Sequence, residues 1–313
     1  MTLQPIVVVG GPTASGKSLL AVTIARAFNG VIINADSMQI YNCLPILTAH
    51  PDKSLLNDIP HKLYGALKPT DHCDAMVWKR KALGHIKKAQ QLNKLPILVG
   101  GTGFYLHTML VGLHAIPMVP LEIRVRLNSR VDKNGIRSLY DELVQLDPET
   151  AADLKPTDSQ RIIRALEVLE HTGKGLAYWK SIRIPSAPPE FKFFTIILMP
   201  CREDLYEDIN KRFDLMVELG AIEEVRALIK DYPNKELPVF KAVGVSPIVK
   251  FLEGNIDKKR MLELGKRDSR RYAKRQMTWF RNQIIPDFTL KKKYMETLGL
   301  NIFPKISKFL LTD

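Results

Sequence analysis

The sequence predicts an α/β protein: a parallel sheet core interrupted by a small all-helical insertion domain and followed by a basic, helical C-terminal part. Three observations lead there. A short apolar run, Ile6-Val7-Val8-Val9, passes through a glycine-rich turn into a helix-like segment starting at Leu19. Two more apolar runs, Val31–Ala35 and Leu95–Val99, end in polar or glycine-rich turns. Such runs, bounded by turn residues, read as buried strands of a parallel sheet. After Ile116 no strand-like run appears until Phe193–Leu198. The predicted boundaries are residues 1–118 for the first part of the core, 119–189 for the insertion and 190–313 for the rest.

The first turn carries the chemistry. Gly11-Pro12-Thr13-Ala14-Ser15-Gly16-Lys17-Ser18 fits G-x-x-x-x-G-K-[ST] in the strand–loop–helix setting that this pattern requires. Its glycines let backbone N–H groups turn inward around phosphate oxygens, and the following helix points its positive end at the same place. Gly11, Thr13, Ala14, Ser15, Gly16, Lys17 and Ser18 are therefore the candidate diphosphate-binding residues. Lys17 can neutralise a phosphate oxygen, and the Ser18 hydroxyl can sit on Mg²⁺.

Composition narrows the class. The 313 residues are 45% hydrophobic, enough for a real core, and carry a net charge of +13 that suggests a polyanionic partner. Cys43, Cys73 and Cys201 lie far apart, which gives neither a disulfide framework nor a zinc site and fits a reducing compartment. The N-terminal apolar run lacks a preceding basic residue and is too short for a signal peptide, and no stretch approaches membrane-spanning length. A cytoplasmic protein is expected.

Asp36 closes the second strand, next to the phosphate loop, where open α/β sheets bind ligands. The alternative role for it is a helix cap. Residues 42–75 look irregular, and His50, His61 and His72 lack the spacing of zinc ligands. A helix is expected from about Ala75 to Leu92, its basic outer face (Lys79, Arg80, Lys81, Lys87, Lys88) solvated. The third strand runs into Gly100-Gly101-Thr102-Gly103-Phe104-Tyr105 without the closing carboxylate of motor ATPases. Asp158 to Leu169 reads as a helix with an N-cap and a stop at Gly173, and Leu205 to Lys230 as another. Between Lys258 and Arg281 ten Lys or Arg residues face two acids, with Tyr272, Trp279 and Phe280 interleaved. The aromatics suit core packing; the basic density matches a nucleic-acid binder.

Together these segments resemble the tRNA dimethylallyltransferase family. The likeness rests on G-P-T-A-S-G-K-S at Gly11–Ser18, D-S-M-Q at Asp36–Gln39 and G-G-T-G-F-Y at Gly100–Tyr105. Q-R-I-I-R at Gln160–Arg164 and K-R-Q-M-T-W-F-R at Lys274–Arg281 extend it over nearly the whole chain. Bacterial members lack the C-terminal zinc finger of eukaryotic ones, and no C-x-x-C or paired His closes this chain, so the bacterial type is expected.

The resemblance implies a P-loop kinase-like core and transfer of a dimethylallyl group from its diphosphate to N6 of the adenine just 3′ of the anticodon. The phosphate loop would then hold an isoprenoid diphosphate rather than ATP, with Mg²⁺ as cofactor. By the same resemblance Asp36 is the general base, Lys17 stabilises the leaving diphosphate, Thr102 stands where the substrates meet, and Arg212 lies on the diphosphate side. Contacts to the tRNA anticodon stem-loop are implied for Asp36, Ser37, Met38, Gln39 and Thr102 in the core, and for Arg124, Gln160, Arg161, Ile162, Ile163 and Arg164 in the insertion. Lys274, Arg275, Gln276, Trp279 and Arg281 are implied in the C-terminal part. A monomer that does not engage membranes is expected.

Two segments depart from the family pattern. Leu47-Thr48-Ala49-His50-Pro51 stands where a Gly-Thr-Ala-Lys-Pro stretch is common, and Gly244-Val245-Ser246-Pro247 where Gly-Tyr-Lys-Glu is. Both are expected to touch RNA contacts rather than the transfer chemistry. Competing readings are prenylation of free adenine nucleotide, a small-molecule P-loop kinase, and an RNA-binding protein without catalysis. The basic C-terminal helix and Q-R-I-I-R argue against the first, and intact Lys17, Ser18 and Asp36 against the last.

Overall fold

A computed structural model describes residues 3–114, 116–182, 187–292 and 299–312, and two compact units emerge, residues 1–110 with 187–313 and residues 111–186. The larger unit holds one parallel sheet. Its strands are β1 (Gln4–Gly10), β2 (Gly30–Asn34), β3 (His61–Lys62), β4 (Leu95–Gly100), β5 (Phe191–Leu198) and β6 (Phe288–Leu290), in the order β3-β2-β4-β1-β5-β6. Val7 and Val9 pack into a core with Ile24, Ile97 and Ile196. Val8 points to the opposite face and is also fully buried, so both faces are covered, as a parallel sheet requires. Each buried branched side chain contributes about 1.5–3 kcal/mol relative to exposure.

Helices α1 (Lys17–Ala27), α2 (Lys53–Asp58), α3 (Ala75–Gln91) and α4 (Gly103–Leu110) alternate with the first strands. Asp52 caps α2 by accepting the Leu55 N–H at 2.9 Å, and Asp74 caps α3 through the Met76 and Val77 N–H groups. The stretch 42–75, expected to be irregular, thus contains α2 and the two-residue β3.

The smaller unit consists of α5 (Leu121–Leu146), α6 (Pro148–Ala152), α7 (Ser159–Thr172) and α8 (Leu176–Ser181). Leu127, Leu139, Leu143, Ile162 and Leu166 form its core. Gly135 breaks the α5 backbone with φ 75°. The caps read from the sequence are in place on α7: Asp158 accepts the Arg161 N–H, and Gly173 ends the helix in the left-handed region. The predicted insertion boundary at 189 follows residues 183–186, which lie outside the described residues.

The chain then returns to the larger unit through β5, α9 (Arg202–Glu218), α10 (Ala221–Asp231), α11 (Val245–Leu252), α12 (Lys258–Gln283), β6 and α13 (Gly299–Leu311). The single helix expected from Leu205 to Lys230 is two, because Gly220 takes φ 109° between them. β6 escaped the sequence reading. It is fixed beside β5 by Asp287, whose side chain accepts the Thr195 N–H at 2.7 Å while its own N–H bonds to Thr195 O. Among the described residues no helix is long and apolar enough to cross a membrane.

Candidate active site

Three loops leave the carboxyl edge of neighbouring strands side by side: the phosphate loop after β1, Asp36 after β2 and Gly101-Thr102 after β4. Ligands of open α/β sheets bind at this edge. Gly16 sits at φ 86° to start α1, and the first turn of α1 holds no acid, so its positive end is not neutralised from within. Lys17 Nζ donates to Pro12 O at 3.3 Å, and Arg212 from α9 donates to Thr13 Oγ1 at 3.3 Å. Burial pulls Lys17 down to about 8 against an upward pull from Asp36, and Arg212 lowers it further. Arg212 is likewise lowered by burial and opposed by Asp36. Two cations held in a desolvated seat are stabilised when an anion arrives. Ser15 Oγ is buried there with no hydrogen-bond partner among the described residues.

Asp36 is set from beneath by Asn34, a fully buried side chain that accepts the Asp36 N–H at 2.9 Å and donates to Asp36 O and Leu63 O. Asp36 Oδ1 accepts the Met38 N–H at 2.9 Å and the Gln39 N–H at 3.4 Å. The capping role and the functional role therefore coexist: Oδ1 holds the turn, and Oδ2 lies toward Gly101. Thr102 Oγ1 accepts the Ser37 N–H at 2.9 Å and donates to Ser37 Oγ at 3.2 Å, which binds the second and third loops together. Burial, followed by the Asp36 charge, raises the Tyr272 hydroxyl well above the usual phenol range.

A cavity of about 230 Å³ lies over the phosphate loop and the turn that holds Asp36. Thr13, Lys17, Ser18, Asp36 and Arg212 line its polar part, and Leu47, Ile209, Phe213 and Met216 its apolar part. Ala242 and Val243 also reach it, so the segments around Leu47 and Gly244 border the same space as Asp36. Of the two departures from the family pattern, the first puts Leu47 and Thr48 on this cavity, and the second follows directly after Ala242 and Val243. A second cavity of about 610 Å³ shares Lys17, Ser18 and Arg212 and is walled by His50, His61 and Tyr64, which leaves the phosphate seat open on two sides.

The structure also sorts the residues implied in tRNA contact. Lys274, Arg275 and Arg281 are exposed on α12, and Arg275 lies over the Tyr272 ring, its guanidinium carbon 5.7 Å from the centroid. Trp279 is half-buried against Gly103 and His107. Gln276 faces inward instead. Its Oε1 accepts the Thr13 N–H at 2.9 Å and its Nε2 donates to Gly101 O at 2.8 Å, so both ends of the amide are spent inside the protein. Gln39 is similarly committed, donating to Thr48 O and Ala49 O. Ser37 and Met38 stand on the cavity.

In the smaller unit Gln160 and Arg161 are exposed at the start of α7. Arg124 and Arg164 both pair with Glu167, each at 3.2 Å, and that carboxylate is 2% exposed. Ile162 and Ile163 are buried in the core of the unit. Sequence reading missed Asn34 and the apolar wall. Asn34 had a signal, a polar residue ending a β-branched run; the wall, gathered from α9 and two loops, had none.

The fold and this seat define a P-loop α/β protein with a cationic seat for an anion. Comparison with known proteins goes further: residues 39–283 match the model of the IPP transferase family, and the chain belongs to that family. It is 44% identical over 278 residues to the tRNA dimethylallyltransferase of Rhizobium meliloti, covering 89% of this chain and 92% of the relative. The Paramagnetospirillum magneticum protein of the same name is 41% identical over 311 residues, covering 99% and 98%. The crystal structure of the full-length tRNA isopentenylpyrophosphate transferase from Bacillus halodurans aligns with TM-score 0.72 and 31% identity, covering 99% of this chain and 97% of that one. A eukaryotic dimethylallyltransferase acting on tRNA aligns with TM-score 0.78 and 25% identity, covering 97% and 77%.

Proposed function

We propose that this protein transfers the dimethylallyl group of dimethylallyl diphosphate to N6 of the adenine 3′-adjacent to the anticodon in tRNA, releasing diphosphate. The observation that carries the reading is the placement of Asp36 on one cavity with Lys17, Arg212 and the phosphate loop. The allylic C–O bond breaks and its electron pair leaves with the diphosphate. The loop amides, Lys17 and Arg212 stabilise that charge. The N6 lone pair forms the new C–N bond, and Asp36 takes the N6 proton. Leu47, Ile209, Phe213 and Met216 would shelter the dimethylallyl group from water.

Among the described residues no group of three or more His, Cys, Asp or Glu stands ready for a metal. Mg²⁺ takes most of its ligands from phosphate and water. Ser18, on the cavity beside Lys17, would hold it, and the ion would add neutralisation of the leaving diphosphate. Lys274, Arg275, Arg281, Arg124, Gln160, Arg161 and Arg164 are the proposed tRNA contacts. Exposed guanidinium and ammonium groups supply phosphate affinity, and amides read bases. The target base must leave its stack to reach Asp36, a cost of a few kcal/mol that is smallest in a loop. The three cysteines are free, which fits the proposed reducing cytoplasm, and the protein is proposed to act there as a monomer.

An anticodon stem-loop with three adenines across the target site, incubated with dimethylallyl diphosphate and Mg²⁺, tests this by mass spectrometry. One added dimethylallyl group on the central adenine is the expected result. Modified AMP with untouched RNA would overturn it.

A further inference from the structure

The outer face of α3 has no role in the chemistry above, and its composition sets it apart. The helix Ala75–Gln91 contains no acidic residue, and Arg80, Lys81, Lys87 and Lys88 stand exposed on it. Among the described residues none of these four pairs with a carboxylate, whereas on α12 Arg260, Lys266 and Arg267 each meet one. Lys62, exposed on β3, adds to the same cluster. His85 lies among these cations, held below its usual range first by burial and then by Lys62, Lys88 and Lys81. Five like charges left together cost stability through mutual repulsion.

A second observation concerns the middle of that face. Gly84 sits inside the helix, where glycine costs roughly 0.5–1 kcal/mol relative to alanine. A side chain there would meet nothing within 4 Å. No packing demand in the protein accounts for the missing side chain. It leaves a bare notch between Arg80 and Lys81 on one turn and Lys87 and Lys88 two turns on. The other end of α3 is tied to the site: Trp78 donates to Asn34 O at 2.7 Å, and Asn34 fixes Asp36.

We propose that this face of α3 is a docking surface for the phosphate backbone of the substrate RNA, outside the nucleotide that enters the cavity, with the Gly84 notch admitting the backbone between two pairs of cations. The inference rests on RNA being the substrate. From Arg80 to Lys88 the face runs about 12 Å at 1.5 Å per residue, long enough to meet several backbone charges. Contacts of this kind add affinity that depends on salt and carry no sequence information.

The test compares wild type, the triple variant Lys81→Ala/Lys87→Ala/Lys88→Ala, and Gly84→Leu. Binding of whole tRNA is measured across salt concentrations, with prenylation of the isolated stem-loop in parallel. The triple variant is expected to bind tRNA about tenfold more weakly at 0.1 M salt, with a log–log salt slope smaller by about 2–3. Its kcat at saturating stem-loop should stay at the wild-type value. Gly84→Leu is expected to weaken tRNA binding while melting no lower than wild type, since leucine is the better helix former. An unchanged salt slope in the triple variant, or unchanged affinity in Gly84→Leu, overturns the docking surface. Absence of prenylation by the wild type sinks the functional reading instead, and the binding curves still judge α3.

Discussion

The side-chain oxygen of Gln276 accepts the backbone N–H of Thr13 at 2.9 Å, joining residues 263 positions apart in the chain. Through its amide nitrogen the same side chain holds Gly101 O at 2.8 Å. One residue of the basic helix therefore sets the spacing of the phosphate loop and the Gly101-Thr102 turn. Gln276→Leu removes both bonds and leaves buried polar groups unmet, about 1–3 kcal/mol each. The expected outcome is a KM for dimethylallyl diphosphate raised at least tenfold with tRNA affinity unchanged. Steady-state kinetics alongside a tRNA-binding titration check it, and a loss confined to tRNA binding would return Gln276 to the RNA surface.

Asp36 is the proposed proton acceptor. Asp36→Asn keeps an oxygen for the Met38 N–H, so the turn persists while the base is lost. Turnover on stem-loop RNA should fall by about 10²–10⁴-fold with both substrates still bound. Single-turnover kinetics would show this; near-normal turnover would remove the assignment.

Lys17 titrates near pH 8, lowered by burial. Its folded pKa lies below its unfolded value, so the unfolded chain holds more protons between about pH 8 and 10.5. This residue's contribution to stability therefore rises with pH across that window and is at its most unfavourable below it. A bound diphosphate favours the charged form, so above pH 8 binding takes up a proton and weakens as pH rises. Calorimetry in buffers of different ionisation enthalpy should detect the uptake in wild type and lose it in Lys17→Met.

Glu167 pairs with Arg124 and Arg164 from inside the smaller unit. Glu167→Gln should destabilise that unit by about 1.5–3 kcal/mol, the range for hydrogen bonds to charged groups. Both guanidinium groups would lose their fixed placement. Thermal unfolding measures the first effect, and tRNA affinity at constant kcat measures the second.

The parts legible in the sequence were those with a local cause. The phosphate loop, the strands β1, β2 and β4, and both caps of α7 follow from residue types at fixed spacing. β3 and β6 did not, because two or three residues carry no periodicity and exist only by pairing with a strand already in place. The inward orientation of Ile162, Ile163 and Gln276 was not legible, because a motif match names residues without saying which way they point. Helical spacing held that information: Gln276 lies four residues from both Tyr272 and Phe280, on the inward face of α12.

The strand order has a consequence for how the chain is made. β1 lies between β4 and β5, and β5 begins only at Phe191, after the whole helical unit. At about 5–20 residues per second, roughly 10–40 s separate the synthesis of β1 from that of its second neighbour. During that time β1 presents a row of unpaired backbone groups along its apolar stretch Ile6–Val9, the form most prone to wrong pairing. The smaller unit is translated within this interval. A polypeptide stopped at residue 187 would carry that open edge permanently, and aggregation rather than a stable half-sheet is its expected fate.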